Sequence, residues 1–170
     1  MDNNMKKRRI GIFVENEIGV LARISGMFAG KSYNLDGLTV GETEDKTISR
    51  MTISLTSDDQ TFEQVKKQLN RSVEVIKVID YTDISIHMKE LLFVKIKGCN
   101  GDEKEEAFRI AKVFGVKVAD CDKTTILLEC LQTENRNNDL IALLKNIFSG
   151  RIEVARGGSV AIEAISMSDS

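Results

Sequence analysis

The chain has 170 residues, of which 42% are hydrophobic and 29% charged, enough for one sizeable core or two small ones and too apolar for a disordered or fibrous chain. Its net charge of -2 is spread evenly, with 12 basic and 12 acidic residues up to Asp80 and 12 against 14 beyond it, so neither half is built for a nucleic-acid backbone. No apolar run approaches the roughly 18 residues of a membrane span, and the N-terminus lacks the apolar stretch of a signal peptide; no membrane partner and a cytoplasmic location are expected.

Lys6-Lys7-Arg8-Arg9, the one basic cluster, reads as a solvated start to the first strand. Ile10, Ile12 and Val14 then alternate with Gly11 and Phe13 as that strand. Asn16-Glu17-Ile18-Gly19-Val20-Leu21 follows as a glycine-containing turn into a helix from Val20 to Lys31, with Leu21, Ile24 and Phe28 at helical spacing. Leu35 to Glu42 returns as a strand, Glu44-Asp45-Lys46 is a polar turn, and Met51, Ile53 and Leu55 alternate with Arg50, Thr52 and Ser54 in a half-buried strand. Ser57-Asp58-Asp59-Gln60 fits a capping box for a helix bearing Phe62, Val65 and Leu69, and the β-branched run Val73 to Ile79 closes the unit.

The same order recurs. Leu91 to Lys97 is a strand, and Ala107, Ile110, Ala111 and Phe114 stripe a helix ending at Gly115. Val116 to Ala119 and Thr125 to Leu131 form a hairpin, Leu140, Leu143, Leu144 and Ile147 mark a fourth helix, and Ile152 to Ala155 is a last strand with Ser159 to Ala164 as an extension. Strand, helix, strand, strand, helix, strand is the split-βαβ arrangement. The fold class is therefore α+β, two consecutive ferredoxin-like βαββαβ domains over residues 1–82 and 83–170, joined between Asp80 and Lys89.

Catalysis is poorly provided for. His87 is the single histidine and sits in the expected connector without a second ligand at metal spacing, so no catalytic or metal site is assigned. Cys99, Cys121 and Cys130 are odd in number and form no C-x-x-C pair, which favours reduced thiols. No phosphate loop is present, and Asp102, Glu103, Glu105 and Glu106 cluster at a helix start, where they favour the dipole and face solvent. Gly157-Gly158 after Arg156 fits a tight turn between strands as well as an anion site. Aromatic residues make up only 5% of the chain and no basic Gly-aromatic strand motif occurs, which argues against an RNA-binding ferredoxin-like domain.

Binding is better supported. A zwitterionic amino acid needs donors for its carboxylate, acceptors for its ammonium and an apolar pocket. The amides of Ile18, Gly19, Val20 and Leu21 offer the donors, Asn16 and Asn34 can donate or accept, and Leu21, Leu35 and Leu38 offer apolar surface. A turn glycine and a helix-capping Asn16 without any ligand explain the same residues equally well at this point.

Further residues carry a resemblance. Glu15 to Arg23, Tyr33-Asn34-Leu35, Leu38 to Gly41, Ser49 to Ile53, Gln64 to Leu69 and Val73-Glu74-Val75, then Leu92 to Ile96 and Val154 to Gly158, are similar to the small regulatory subunits of acetolactate (acetohydroxyacid) synthase. That resemblance implies that the N-terminal half is an ACT domain. It implies an effector site at a homodimer interface, with Asn16, Glu17, Ile18, Gly19, Val20 and Leu21 from one subunit facing Asn34 and Leu35 of the other. It further implies a branched-chain effector, valine by default with leucine or isoleucine as variants. The subunit would activate a catalytic large subunit, which would carry thiamine diphosphate, magnesium and FAD; this chain would hold no cofactor. A stand-alone ACT-type sensor, controlling another enzyme or transcription, is the alternative.

Overall fold

The computed structural model describes residues 4–31 and 33–165. The elements run β1 (Lys6–Glu15), α1 (Val20–Gly30), β2 (Leu35–Glu42), β3 (Ile48–Ser57), α2 (Asp59–Arg71), β4 (Val75–Asp80), β5 (Ile86–Ile96), α3 (Gly101–Phe114), β6 (Lys117–Cys121), β7 (Ile126–Gln132), α4 (Glu134–Ile147) and β8 (Ile152–Glu163). They build two four-stranded sheets, ordered β2-β3-β1-β4 and β6-β7-β5-β8, the ferredoxin-like topology in duplicate. The described residues up to His87, together with those from Val160 onward, form one compact unit, and Met88 to Ser159 form the other. The pattern-based boundary assigned everything after residue 82 to the second domain; the last strand instead runs back into the first unit.

The first core forms because β1 and β3 alternate. Ile10, Ile12 and Val14 face Met51, Ile53 and Leu55 across an antiparallel register in which Ile10 opposes Ile53, and all six are at most 1% exposed. Val20, Ile24 and Phe28 of α1 and Phe62, Val65 and Leu69 of α2 close over them. Each such side chain contributes about 1.5 to 3 kcal/mol on burial. The second core repeats the scheme with Leu92, Val94 and Ile96 of β5, Ile126, Leu128 and Cys130 of β7, and the inward residues of α3 and α4.

Several local expectations shift. Arg8 is not solvated: it is 6% exposed, lies 5.0 Å from the Phe62 ring centroid and pairs with Asp59. In α1 the buried position is Val20 rather than Leu21, which is 43% exposed. The cap of α2 is Asp58, whose carboxylate accepts from the Thr61 amide at 2.7 Å, because Ser57 remains the last residue of β3. Asp102, Glu103, Glu105 and Glu106 lie at the start of α3 as expected, and Asn100 and Glu103 form a reciprocal capping box there that the residue pattern had not singled out. His87 lies in β5, not in a connector. Gly157 and Gly158 make no turn; β8 passes through both as one 12-residue strand.

Thr52 and Ser54, on the side of β3 expected to face solvent, are 4% and 6% exposed. Ala161 lies against Thr52, its amide donating to Thr52 Oγ1 at 3.2 Å. The alternation of β3 reports the helix-covered face correctly, but the end of β8 covers part of the other.

Candidate functional site

The turn between β1 and α1 is shaped by Gly19, whose φ of 86° lies in the left-handed region that a side chain disfavours. Gly19 is the N-cap of α1 and, lacking a side chain, supplies no side-chain cap; the Val20 amide donates to Glu17 O at 3.3 Å, and α1 has no acidic residue in its first turn. Asp58, Asn100 and Thr133, by contrast, each cap their helix with a side-chain oxygen. The start of α1 thus offers backbone donors and the positive end of the helix dipole to an anion. Arg23, one turn on, adds a charge that sequence reasoning did not single out. Its Nη1 would lie 3.1 Å from a Cβ on Gly19, and its Nε pairs with Glu74 at 2.5 Å. Its spacing of four from Gly19, on the same helical face, was the available signal.

Asn16 is an anchor as well as a candidate ligand group. Its backbone amide donates to Thr47 O at 2.8 Å, its side-chain Nδ2 donates to Lys46 O at 2.8 Å and to Glu42 Oε2 at 3.4 Å, and its Oδ1 accepts from Ser49 Oγ at 3.0 Å. The turn is thereby tied to the β2–β3 hairpin, and the Asn16 Oδ1, which accepts one hydrogen bond from Ser49 among the described residues, can accept a second from an ammonium group. Glu15, Asn16 and Glu17 line a surface cavity of about 490 Å³ with Lys46, Thr47, Ile48 and Ile76. Ile18 is fully exposed. Val20 contributes its amide to the turn, but its side chain is 3% exposed in the core, and Leu35 and Leu38 pack against that same core.

Asn34 is exposed and lines a different cavity, of about 170 Å³, with Met5, Tyr33, Leu55, Thr56, Ser57, Asp58 and Thr61. Asn16 bonds to Ser49 near the start of β3, while Asn34 shares its cavity with the end of that strand. Seven residues of extended chain span about 24 Å, so one copy of the chain does not bring the two asparagines together.

Glu103 is held down to about 2 by its hydrogen bond to Arg151 and by the Asn100 amide. Burial pushes the Cys130 thiol up to about 11, and burial raises Cys99 as well. Glu90, 3% exposed, is gripped by Arg156 Nε at 2.7 Å and Nη2 at 3.1 Å, a bidentate pair inside the second unit. Among the described residues no group of three or more His, Cys, Asp or Glu side chains is placed to hold a metal ion, and no helix is long and apolar enough to cross a membrane.

Known proteins match this chain in both halves. The family model for the AHAS small subunit-like ACT domain matches residues 10–77, and that for the small subunit of acetolactate synthase matches residues 89–165. The chain is 43% identical to the acetolactate synthase small subunit of Aquifex aeolicus over 93% of this chain and 81% of that one. It is 33% identical to the acetolactate synthase isozyme 3 small subunit of Salmonella typhimurium, over 92% and 94% respectively. The crystal structure of the acetolactate synthase small subunit from Thermotoga maritima superposes with a TM-score of 0.84 at 27% identity, over 95% of this chain and 99% of that one.

Proposed function

This chain belongs to the family of acetolactate synthase small subunits, with an ACT domain as its first half, and from that membership we propose that it activates a catalytic large subunit and makes it subject to feedback by a branched-chain amino acid. The observation that carries the sensing role is the uncapped start of α1 at Gly19, with Arg23 beside it. The effector carboxylate would take the α1 amides and Arg23, its ammonium the Oδ1 of Asn16, and its side chain the apolar surface around the exposed Leu21. A few hydrogen bonds to charged groups, each worth roughly 1.5 to 3 kcal/mol, suit micromolar to millimolar sensing.

Because Asn34 lies at the far end of β3, its part in the site requires a second copy. The proposed assembly is a homodimer through the ACT domains, in which Asn34 and Leu35 of one subunit complete the turn of the other. The subunit itself would be non-catalytic and cytoplasmic. Thiamine diphosphate, magnesium and FAD would belong to the large subunit and supply the carbon–carbon bond chemistry there. Valine is the default effector, with leucine and isoleucine as variants.

The test is reconstitution of this chain with candidate large subunits while acetolactate formation is followed during titration with valine, leucine and isoleucine. The reading expects a several-fold rise in activity on adding the chain and its loss as one of the three is titrated. Isolation of the chain from its native cell free of any large subunit, yet fully competent in ligand binding, would favour the stand-alone sensor instead.

A further inference from the structure

The face of the first sheet turned away from α1 and α2 carries a connected set of contacts around Arg50. Gly11 in β1 has no side chain, and a Cβ there would stand 2.7 Å from Tyr81 Cζ, so the Tyr81 ring lies across β1 and is only 5% exposed. Its hydroxyl accepts from Arg50 Nη2 at 2.8 Å. The same Nη2 donates to Glu163 Oε2 at 2.7 Å, and the guanidinium lies 4.9 Å from the centroid of Phe13, the residue opposite Arg50 in the β1–β3 register. Two backbone amides fasten the same segment: Ala161 donates to Thr52 Oγ1 at 3.2 Å and Ala164 to Ser85 O at 2.8 Å. Residues 160–164 are therefore a strap on the first unit, and they continue a strand whose earlier residues belong to the second sheet. Burial is the largest single influence and works against the charge on Arg50 and on Glu163, but their mutual hydrogen bond and charge, with Tyr81 beside Arg50 and a backbone bond and Lys77 beside Glu163, together outweigh it, raising the one and lowering the other.

Arg50 directly follows Ser49, whose hydroxyl donates to Asn16 Oδ1. Adjacent residues of one central strand thus anchor the β1–α1 turn and the strap. We infer that Arg50 and Glu163 are positioning residues for effector control: the pair latches the end of β8 so that a change at the Asn16 turn reaches β8, and through it the second unit. Neither residue touches the effector in this scheme. Ser49 and Arg50 are each paired on both sides, with Val14 and Phe13 of β1 and with Glu42 and Gly41 of β2, so a shift of Ser49 is carried to its neighbour rather than absorbed, and the charged, stacked guanidinium converts that shift into tension or release of the strap. The inference rests on the reading of Asn16–Leu21 as the effector turn.

The test uses the full chain, alone and reconstituted with the catalytic large subunit, as wild type, Glu163→Gln, Arg50→Gln and the double variant. Calorimetry with valine, leucine and isoleucine should give affinities for Glu163→Gln within threefold of wild type, and activation should stay within twofold. Half-inhibition should need at least tenfold more effector, and exchange of the Ala161 and Ala164 amides should be at least tenfold faster. In its effector response the double variant should be no worse than Glu163→Gln alone, since the pair is already broken there, while the further loss of the Tyr81 and Phe13 contacts of Arg50 falls on stability. Inhibition of Glu163→Gln at wild-type effector concentrations would overturn the latch. So would parallel loss of binding and inhibition, because the pair would then only be supporting the site. If the wild type itself neither binds an effector nor confers inhibition, the functional reading falls and the latch with it; if the wild type responds and Glu163→Gln responds alike, only the latch falls.

Discussion

At Gly19 the backbone angle and the neighbouring charge point to the same substitutions. Gly19→Ala must hold a side chain in the left-handed region, a cost of about 1 to 2 kcal/mol that denaturant unfolding would register. Its Cβ meets only the guanidinium end of the Arg23 side chain, so the fold should survive. Gly19→Asp would add a carboxylate beside the same amides and Arg23 and should abolish effector inhibition while leaving activation of the large subunit within about twofold; undiminished valine sensitivity of the reconstituted enzyme would remove the turn from the site. The thiols give an independent check on packing. Cys121 is exposed, whereas Cys99 and Cys130 are buried with raised thiol pKa values. Iodoacetamide at pH 8 should therefore modify one residue, Cys121, until the chain is unfolded.

Helix ends show where pattern reading stops. A capping box is recognised by residue types three apart, and the pattern at Ser57 was satisfied by composition; the choice of Asp58 depends on how long β3 keeps its ladder with β1, where Lys6 still pairs with Ser57. Asp58→Ala should lower the unfolding temperature, because the Thr61 amide loses its cap. At α3 the opposite happened: Asn100 and Glu103 have the right spacing, and the polar run hid them. Glu103, lowered to about 2 chiefly by Arg151 and then by the Asn100 amide, has a folded pKa below its unfolded value of about 4.3. Its contribution is therefore present above pH ~4.3 and is lost as the pH falls towards 2. Glu103→Gln should lower the unfolding temperature at pH 7, and the gap to wild type should close between those pH values.

For the assembled molecule, the separation of Asn16 and Asn34 along β3 leads to a complementation experiment. If the site is shared between two subunits, Asn34→Ala should weaken the inhibition that Gly19→Asp abolishes. A mixed dimer of the two variants should regain one intact site, formed by the wild-type turn of the Asn34→Ala chain and the wild-type Asn34 of the Gly19→Asp chain. Co-expression with two affinity tags and a valine titration would measure this. Mixed dimers as insensitive as either parent would place both residues in one subunit's site or in none.

The sequence by itself determined the two βαββαβ units, the inward faces of β1, β3, β5 and β7, and the family, because alternation, helical spacing and the Glu15–Arg23 and Val154–Gly158 stretches are local properties of the chain. It also drew attention to Gly19, since a glycine between a strand and a helix is visible without any partner. Only the tertiary structure decided that Thr52 is covered, that Arg8 is buried, that β8 is one strand ending on the first unit, and that Arg50 joins Tyr81 to Glu163. Those depend on residues 31 to 113 positions apart meeting across a sheet, and a polar residue in an alternating strand looks the same whether solvent or another strand lies against it.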